Sequence, residues 1–280
     1  MAALIYCIGC TALAFSAAGK LAAQPVKKPH VEVELIAENT TIQPGKPFHV
    51  ALRLRMEKDW HTYWRNPGDA GMPTSIRWEL PEGYTAGEIE WPYPEMMGEA
   101  PEVSYGYSDE ILLPVRITPP PGLPATPDVT LSAKASWLVC REACIPGSAD
   151  LHLRLPVDDA APVADTRWLS LFDAIRARLP RPLVGWSATA QRTASGYRLR
   201  LVPESPSLVP PSQASFFAGE EAVIDHSAAQ ELRQAEREII IDLASSPYAS
   251  APADRLRGLL YAPDGWSQGV RAMEIDIPVE

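Results

Sequence analysis

The sequence of 280 residues is poor in cysteine, in basic residues and in long apolar runs. Its 4 cysteines are too few for the disulfide framework on which small secreted domains depend. Lys and Arg number 25 against 35 Asp and Glu, and the net charge of −10 argues against a nucleic-acid groove or an anionic membrane surface. No segment of the chain body has the ~20 apolar residues of a membrane span. We therefore predict protein partners and no membrane span.

The N-terminal region carries the one notable apolar run, Leu4 to Phe15, followed by small residues. Residues 1–23 are predicted to be a signal peptide, although the run lacks a basic start, and the exported chain is placed in the periplasm. Cys7 and Cys10 form a C-x-x-C inside this run. Because it has no βαβ context, we interpret the spacing as coincidence, with a lipoprotein anchor at Cys10 as the weaker alternative. Cys140 and Cys144 are then the only thiols of the exported chain.

Apolar and polar residues alternate in short runs, such as Phe48 to Met56, Ile111 to Ile117 and Val129 to Trp137. A period of two predicts half-buried strands. Connectors rich in Pro and Gly separate these runs and are typical of turns. Residues 30–157 are therefore predicted to form an antiparallel β-sandwich of immunoglobulin-like type.

A linker with a short helix is predicted over residues 158–182. Asp165 is a good N-cap for this helix and Pro180 a good stop. Alternating runs return afterwards, so residues 183–280 are predicted to form a second β-sandwich, which contains no cysteine. The predicted fold class is all-β, with two immunoglobulin-like antiparallel β-sandwich domains joined by a short helix.

The spacing of Cys140 and Cys144 limits what the pair can do. In an extended strand two residues four apart are separated by about 13 Å, whereas a disulfide needs Cα atoms within roughly 7 Å. The backbone is therefore predicted to turn at residues 141–143. A disulfide that closes a loop of about five residues contributes only ~2 kcal/mol, against ~4.7 kcal/mol for about a hundred residues. A labile, redox-active pair is favoured, with a structural disulfide as the alternative.

Several segments together resemble a known family. They are Lys58–Arg65, Leu80–Gly83, Tyr107–Val115, Cys140–Pro146 and, further on, Phe216–Gln230. In this order they resemble the N-terminal periplasmic domain of the DsbD family of thiol:disulfide interchange proteins, including its ScsB-like branch. The likeness spans most of residues 30–280. Each short motif is unspecific by itself, and the specificity lies in their order and in the cysteine pair.

The resemblance implies a protein-disulfide reductase or relay. It would take electrons from a membrane electron-donor domain or a thioredoxin-like protein and pass them to a periplasmic disulfide oxidoreductase. It implies that Cys144 is the exchanging sulfur and Cys140 its resolving partner, with no organic cofactor. The cysteine spacing is shorter than in the best-known DsbD domain, and the chain ends at Glu280 without membrane or thioredoxin-like domains. A separate relay subunit and a fragment of a longer protein are both compatible with this.

Further residues are assigned around the pair. By order along the chain, a shielding cap loop maps to residues 91–98, where its candidate residues are Tyr93, Glu95, Met96 and Met97. The resemblance also places His61, Thr62, Tyr63 and Trp64 near the dithiol. The alternatives are a solvent-exposed loop histidine for His61 and a core tryptophan for Trp64. Near the cysteines, Trp137 borders the pair or lies in the core, Arg141 supplies positive charge that favours a thiolate, and Pro146 rigidifies the exit.

Two other classes of function are weighed against exchange. Thioether and thiolate ligands select Cu(I), so Met96, Met97, His61 and the thiols suggest a copper site, although no compact ligand spacing supports it. A non-catalytic periplasmic binding module with a structural disulfide is the second. The sequence has no G-x-S-x-G elbow and no phosphate-loop or dinucleotide fingerprint.

Overall fold

The computed structural model describes residues 24–122, 127–266 and 269–280, so the predicted signal peptide with Cys7 and Cys10 lies outside the described residues. The strands of the first lobe are β1 (Val26–Lys28), β2 (Val31–Ala37), β3 (Phe48–Met56), β4 (His61–Gly68), β5 (Ser75–Glu79), β6 (Thr85–Ile89), β7 (Glu95–Glu99), β8 (Glu102–Ser108), β9 (Glu110–Thr118), β10 (Asp128–Cys140) and β11 (Cys144–Pro156). Helix α1 (Leu169–Arg178) follows. The strands of the second lobe are β12 (Arg181–Pro182), β13 (Trp186–Arg192), β14 (Gly196–Pro203), β15 (Ser215–Ala218), β16 (Glu231–Ala235), β17 (Glu238–Ala244), β18 (Arg255–Tyr261) and β19 (Ala272–Pro278).

The first lobe consists of two antiparallel sheets, in the orders β1-β2-β3-β9-β6 and β11-β10-β4-β8-β7, with β5 pairing β10. The register explains the alternation in the sequence. Leu52 lies opposite Leu113, and both project into the core because paired residues share a face. The second sheet contributes Trp137 to the same core. The predicted immunoglobulin-like sandwich is confirmed.

Helix α1 packs on the first lobe, whose core includes Phe172 and Ile175. Its N-cap is Trp168, which makes no side-chain capping bond. The predicted N-cap, Asp165, instead accepts hydrogen bonds from the backbone N–H and the guanidinium of Arg167. The predicted start of the helix is therefore wrong, because Asp165 caps the turn that precedes the helix.

The second lobe is also a β-sandwich, with sheets in the orders β12-β19-β18-β15 and β13-β14-β17-β16. Its core is built around Trp186, Phe216 and Trp266. Strand β12 pairs parallel to β19, although residues 181–182 fall within the predicted linker. The domain boundaries at residues 157 and 182 stay a prediction.

Strand β4 joins the lobes. The buried Asn66 side chain donates to the carbonyl oxygens of Ala218 and Glu220, both at 2.9 Å. Phe217, on a second-lobe strand, belongs to the core of the first lobe and lies edge-on to Trp64. The face of β4 that carries Trp64 and Asn66 is therefore fixed against the second lobe.

Candidate functional site

The two cysteines stand at the end of the β10–β11 hairpin. Cys140 lies opposite Cys144 in the strand register, with Cα atoms 4.1 Å apart and a disulfide of 2.06 Å between the sulfurs. The backbone N–H of Arg141 donates to the carbonyl of Ala143 at 3.3 Å and closes the turn. The predicted turn at residues 141–143 is confirmed.

The two sulfur-bearing residues differ in exposure. Cys140 is only 2% exposed, because it ends a long strand and also pairs with His61 of β4. Cys144 is exposed, since it begins β11, the outer strand of its sheet. A molecule approaching from solvent therefore meets Cys144 first.

The disulfide shares one face of its sheet with residues of β4 and β8. His61 pairs with Cys140 on one side and with Ser108 on the other. Tyr63 pairs with Gly106 in the next row. Since paired residues project to the same side and alternate residues do likewise, His61 and Tyr63 share the face of the disulfide. We call this the disulfide face.

Tyr63 contacts the exposed cysteine. Tyr63 is 3% exposed, and its hydroxyl lies 3.8 Å from Cys144 Sγ. Burial, with a smaller contribution from Glu102, raises the pKa of Tyr63, so the phenol keeps its proton and donates toward the sulfur. Gly71 allows this packing: its φ is 124°, and an added Cβ would lie 2.3 Å from the Tyr63 ring.

The resemblance places residues 61–64 near the dithiol, and for Tyr63 the contact with Cys144 agrees with this, although no chemical role for the phenol was predicted. A signal for it was present, because a strand that starts at His61 places Tyr63 on the same side as His61. The pairing of β4 with Cys140 joins positions far apart in the sequence, so the contact with Cys144 could not be read locally.

His61 lies within strand β4 and is half-buried, so the alternative of an exposed loop histidine is wrong. Burial lowers the pKa of His61, which keeps the imidazole neutral at neutral pH. Its ring lies edge-on to Tyr63, 5.3 Å between centroids. A neutral ring beside Cys140 is able to accept or pass on a proton there.

Trp64 and Trp137 lie away from the cysteine pair, as the alternative of a core position predicted for each of them. Trp64 faces the interior and contacts Tyr105 edge-on. Trp137 is buried on the core face, against Gly147 of the opposite strand. Neither borders the disulfide.

Arg141 and Pro146, which lie near the cysteines, are both exposed to solvent. The Arg141 guanidinium lies 5.7 Å from the centre of the Trp60 ring. Pro146 lies opposite Leu138 in the hairpin, two residues after Cys144. The structure thus assigns Arg141 a cation–π contact, while its predicted effect on a thiolate stays a prediction.

The predicted cap loop is partly a strand. Residues 95–99 form β7, which pairs with β8 at the edge of the sheet opposite to β11, so the prediction of a loop is wrong there. Met97 shares the disulfide face, and its sulfur accepts a hydrogen bond from Ser108 Oγ at 3.8 Å. Met96 is 50% exposed, and Tyr93 is buried at the start of the segment. A capping role for these residues and for Glu95 stays a prediction.

Two further features of the structure bear on the copper alternative and on the predicted absence of a membrane span. Among the residues that the structure describes, no three His, Cys, Asp or Glu side chains come together in a group that could hold a metal ion. Over the same residues, no helix combines the length and the apolar character needed to cross a bilayer.

Residues 32–156 match the family model described as "Thiol:disulfide interchange protein DsbD, N-terminal". The chain is also similar to the crystal structure of the N-terminal periplasmic domain of ScsB from Proteus mirabilis, with a TM-score of 0.58 and 18% identity over 91% of this chain and 97% of that chain. Spo0M, a sporulation control protein from Bacillus subtilis, covers 89% of this chain and 90% of its own at 12% identity, with a TM-score of 0.24. The comparison with curated proteins gave no match.

Proposed function

We propose, from the match of residues 32–156 to the DsbD N-terminal family, that the first lobe relays electrons between proteins by thiol-disulfide exchange. The family and the Cys140–Cys144 disulfide support a thiol-disulfide interchange module. The observation that carries the relay is the unequal exposure of the pair. One sulfur is open to a partner and the other is protected beside it, as exchange through a mixed disulfide requires.

Reduction of the pair proceeds in two displacements. A thiolate of a dithiol protein attacks Cys144 Sγ, the bond to Cys140 breaks, and Cys140 leaves as a thiolate that takes up a proton. The donor's second thiolate then attacks its own sulfur in the mixed disulfide and releases the Cys144 thiolate. Two electrons enter the relay, and the donor ends as a disulfide.

Passing the electrons on reverses the roles. The Cys144 thiolate attacks the disulfide of an oxidised partner and expels one partner thiolate. Cys140, protected beside it, then attacks Cys144 Sγ and releases the reduced partner. The cysteine sulfurs carry both electrons, so the step needs no organic cofactor.

The neighbouring side chains favour the thiolate at Cys144. The Tyr63 phenol, which keeps its proton, donates a hydrogen bond to the sulfur and stabilises its charged form. The neutral His61 ring beside Cys140 is placed to take the proton from the Cys140 thiol when that sulfur attacks Cys144. Both groups act on the sulfurs from the disulfide face.

The partners and the compartment follow from the family. We infer a periplasmic location, a thioredoxin-like or membrane-bound dithiol as the donor, and a disulfide oxidoreductase as the acceptor. The likeness to the periplasmic domain of ScsB supports the location through its fold.

The test is equilibration of the full chain in glutathione and thioredoxin buffers from roughly −320 to −180 mV, followed by alkylation of free thiols and mass measurement. We expect the pair to pass from reduced to oxidised within this range. A pair that stays oxidised at every potential would contradict the relay. That result would support the alternative of a structural disulfide at the end of the hairpin. Copper titration of the reduced protein tests the metal alternative separately, and an absence of tight binding removes it.

A further inference from the structure

The segment that leads into β7 is held from three sides. The Tyr107 hydroxyl donates to the carbonyl oxygen of Pro92 at 2.7 Å. The backbone N–H of Tyr93 donates to the carbonyl of Arg178, the last residue of α1, at 2.9 Å. The Tyr93 ring packs 5.0 Å from Tyr261 of the second lobe.

The side chain of Arg178 makes further contacts with the same segment and with Tyr107. Its guanidinium donates to the carbonyl of Tyr93 at 3.1 Å and forms an ion pair with Glu95 at 3.4 Å. It also lies over the rings of Tyr93 and Tyr107, at 5.2 and 5.7 Å. The planar fork of arginine suits this combination of carbonyl, carboxylate and ring faces, which lysine cannot reproduce.

Behind this segment lies open space. A groove of about 1010 Å³ separates residues 93–96 from the second lobe and is lined on the far side by Gln213, Phe217 and Arg271. Tyr93 packs into the first-lobe core, whereas Glu95 and Met96 face the groove and are exposed, so contacts with neighbouring side chains hold this part of the segment in place. Arg178 supplies several of them, and Arg271 adds a hydrogen bond to the Tyr93 side chain.

Strand β7 lies within reach of a partner that docks on Cys144. Met97 reaches back over Gly106 of β8, since an added Cβ on that glycine would lie 2.4 Å from Met97 Cε. Strand β8 is three strand spacings, about 14 Å, from β11. A protein interface of ~800 Å² per partner extends about 16 Å from its centre. A partner centred on Cys144 therefore covers Met97.

We propose that Arg178 is a positioning residue for exchange with proteins: it fixes the start of β7, and with it the part of the disulfide face that a docked partner contacts. The helix and the second lobe thereby take part in the reaction without touching the sulfurs. This rests on the proposed relay function. It predicts a defect confined to protein partners, since a small reductant needs only Cys144.

The experiment compares two reductants on the full chain. Second-order rate constants for reduction of the Cys140–Cys144 disulfide are measured with reduced thioredoxin and with dithiothreitol, by timed alkylation. For Arg178→Ala we expect the thioredoxin rate to fall about fivefold, the effect of one lost net hydrogen bond, and the dithiothreitol rate to stay within about twofold of wild type. For Arg178→Lys we expect a smaller fall in the thioredoxin rate constant, about half of that for Arg178→Ala on a logarithmic scale.

Arg176→Ala is the matched control. Arg176 lies on the same helix and pairs with Asp173 and Glu38, away from the segment, so both rates should equal those of wild type. If Arg178→Ala does not fold, Arg178→Lys decides by the same ratio of rates.

Equal falls with both reductants, or no fall with thioredoxin, would overturn the proposal. A rise with both would overturn it as well, since it would make the segment a shield and not a docking surface. A wild-type protein that thioredoxin cannot reduce at all would instead remove the relay function on which the proposal rests.

Discussion

The two lobes are sandwiches of the same kind, yet only the first carries a disulfide. The second builds its core around Trp186, Phe216 and Trp266 and contains no cysteine. The first has an extensive apolar core, and a disulfide that closes a loop of about five residues would add only ~2 kcal/mol to its stability. The second lobe shows that such a sandwich forms without this contribution. The comparison therefore favours a chemical role for the disulfide.

The lobes also treat their outer strands differently. In the second lobe the Gln230 side chain accepts from the N–H of Phe216 at 2.7 Å and donates to its carbonyl at 2.8 Å, which covers the edge of β15. In the first lobe the outer strand β11 begins with the exposed Cys144. Covered edges resist pairing with other chains, and an accessible end suits contact with a partner.

The largest effect on stability is expected from a substitution at Phe217, which links the cores of the two lobes. Phe217→Ala should lower the free energy of unfolding by about 3 to 5 kcal/mol, because Phe217 is buried in the first-lobe core although it lies on a second-lobe strand. Denaturant unfolding measures the loss, and amide hydrogen exchange shows where it occurs. We expect amides of β4 and β8 to lose protection.

The neighbouring Phe216 provides the control, since it belongs to the second core. Phe216→Ala should cost a similar free energy but affect β14 and β17 first. If Phe217→Ala leaves β4 and β8 as protected as before, the lobes are energetically separate and the shared core is refuted.

Removal of the disulfide has the next largest effect. The double variant Cys140→Ala, Cys144→Ala should remain folded and lose only ~2 kcal/mol of unfolding free energy, as the chain-entropy relation gives for so short a loop. Denaturant unfolding of the oxidised wild type and the variant measures the difference. A loss of about 5 kcal/mol or more would show that the disulfide is mainly structural.

A smaller effect is expected at the site itself. Tyr63→Phe removes the hydroxyl that lies 3.8 Å from Cys144 Sγ and should raise the pKa of the Cys144 thiol in the reduced protein. Alkylation of Cys144 at pH 7 should slow by about threefold, the effect of a modest hydrogen bond. Tyr84→Phe, in the turn before β6, is the control. An unchanged pH profile of alkylation in Tyr63→Phe would show that the phenol does not act on the sulfur.

The smallest effect concerns pH at the lobe interface. His226 Nδ1 lies 3.0 Å from the Tyr105 hydroxyl across that interface, and burial lowers the pKa of His226 against the opposing effect of Asp69 and Asp225. A folded-state pKa below the unfolded value of about 6.5 means that unfolding takes up protons below that pH. Stability is then full above about pH 6.5 and falls as the pH drops through the folded-state pKa.

In the wild type we expect the urea midpoint of unfolding to fall as the pH is lowered from 7.5 to 5.5. In His226→Gln this fall should be smaller. His61, whose pKa burial also lowers, accounts for another part. Carboxylates with lowered pKa, such as Asp165 and Asp242, lose their contribution only at more acidic pH. An unchanged slope in His226→Gln would show that the interface histidine does not titrate in this range.

Most of the strands could be predicted where one face is buried and the other exposed, because only then does the sequence alternate. Strand β10 shows this pattern along most of its length. Strand β4 does not, since the second lobe and the residues around Tyr63 bury both of its faces. The fold class was therefore predictable, while this strand was not.

The same reason limited the prediction of the site. The turn between Cys140 and Cys144 follows from their spacing and the length of a disulfide. The approach of Tyr63 to Cys144, and the anchoring of Tyr93 by Arg178, join residues distant in sequence through strand pairing and lobe contacts. Such contacts depend on the register and on the packing of the whole chain.

The most direct test of the account compares the two single cysteine variants. Cys140→Ser and Cys144→Ser are each incubated with a thioredoxin that lacks its resolving cysteine and carries glutathione in disulfide linkage on the remaining one. Attack by the relay thiolate then releases glutathione, and the mixed disulfide between the two proteins is measured by mass without reductant. We predict that Cys140→Ser, which keeps the exposed sulfur, forms the mixed disulfide and that Cys144→Ser does not. Equal trapping by both variants, or trapping only by Cys144→Ser, would contradict the assignment of Cys144 as the exchanging sulfur.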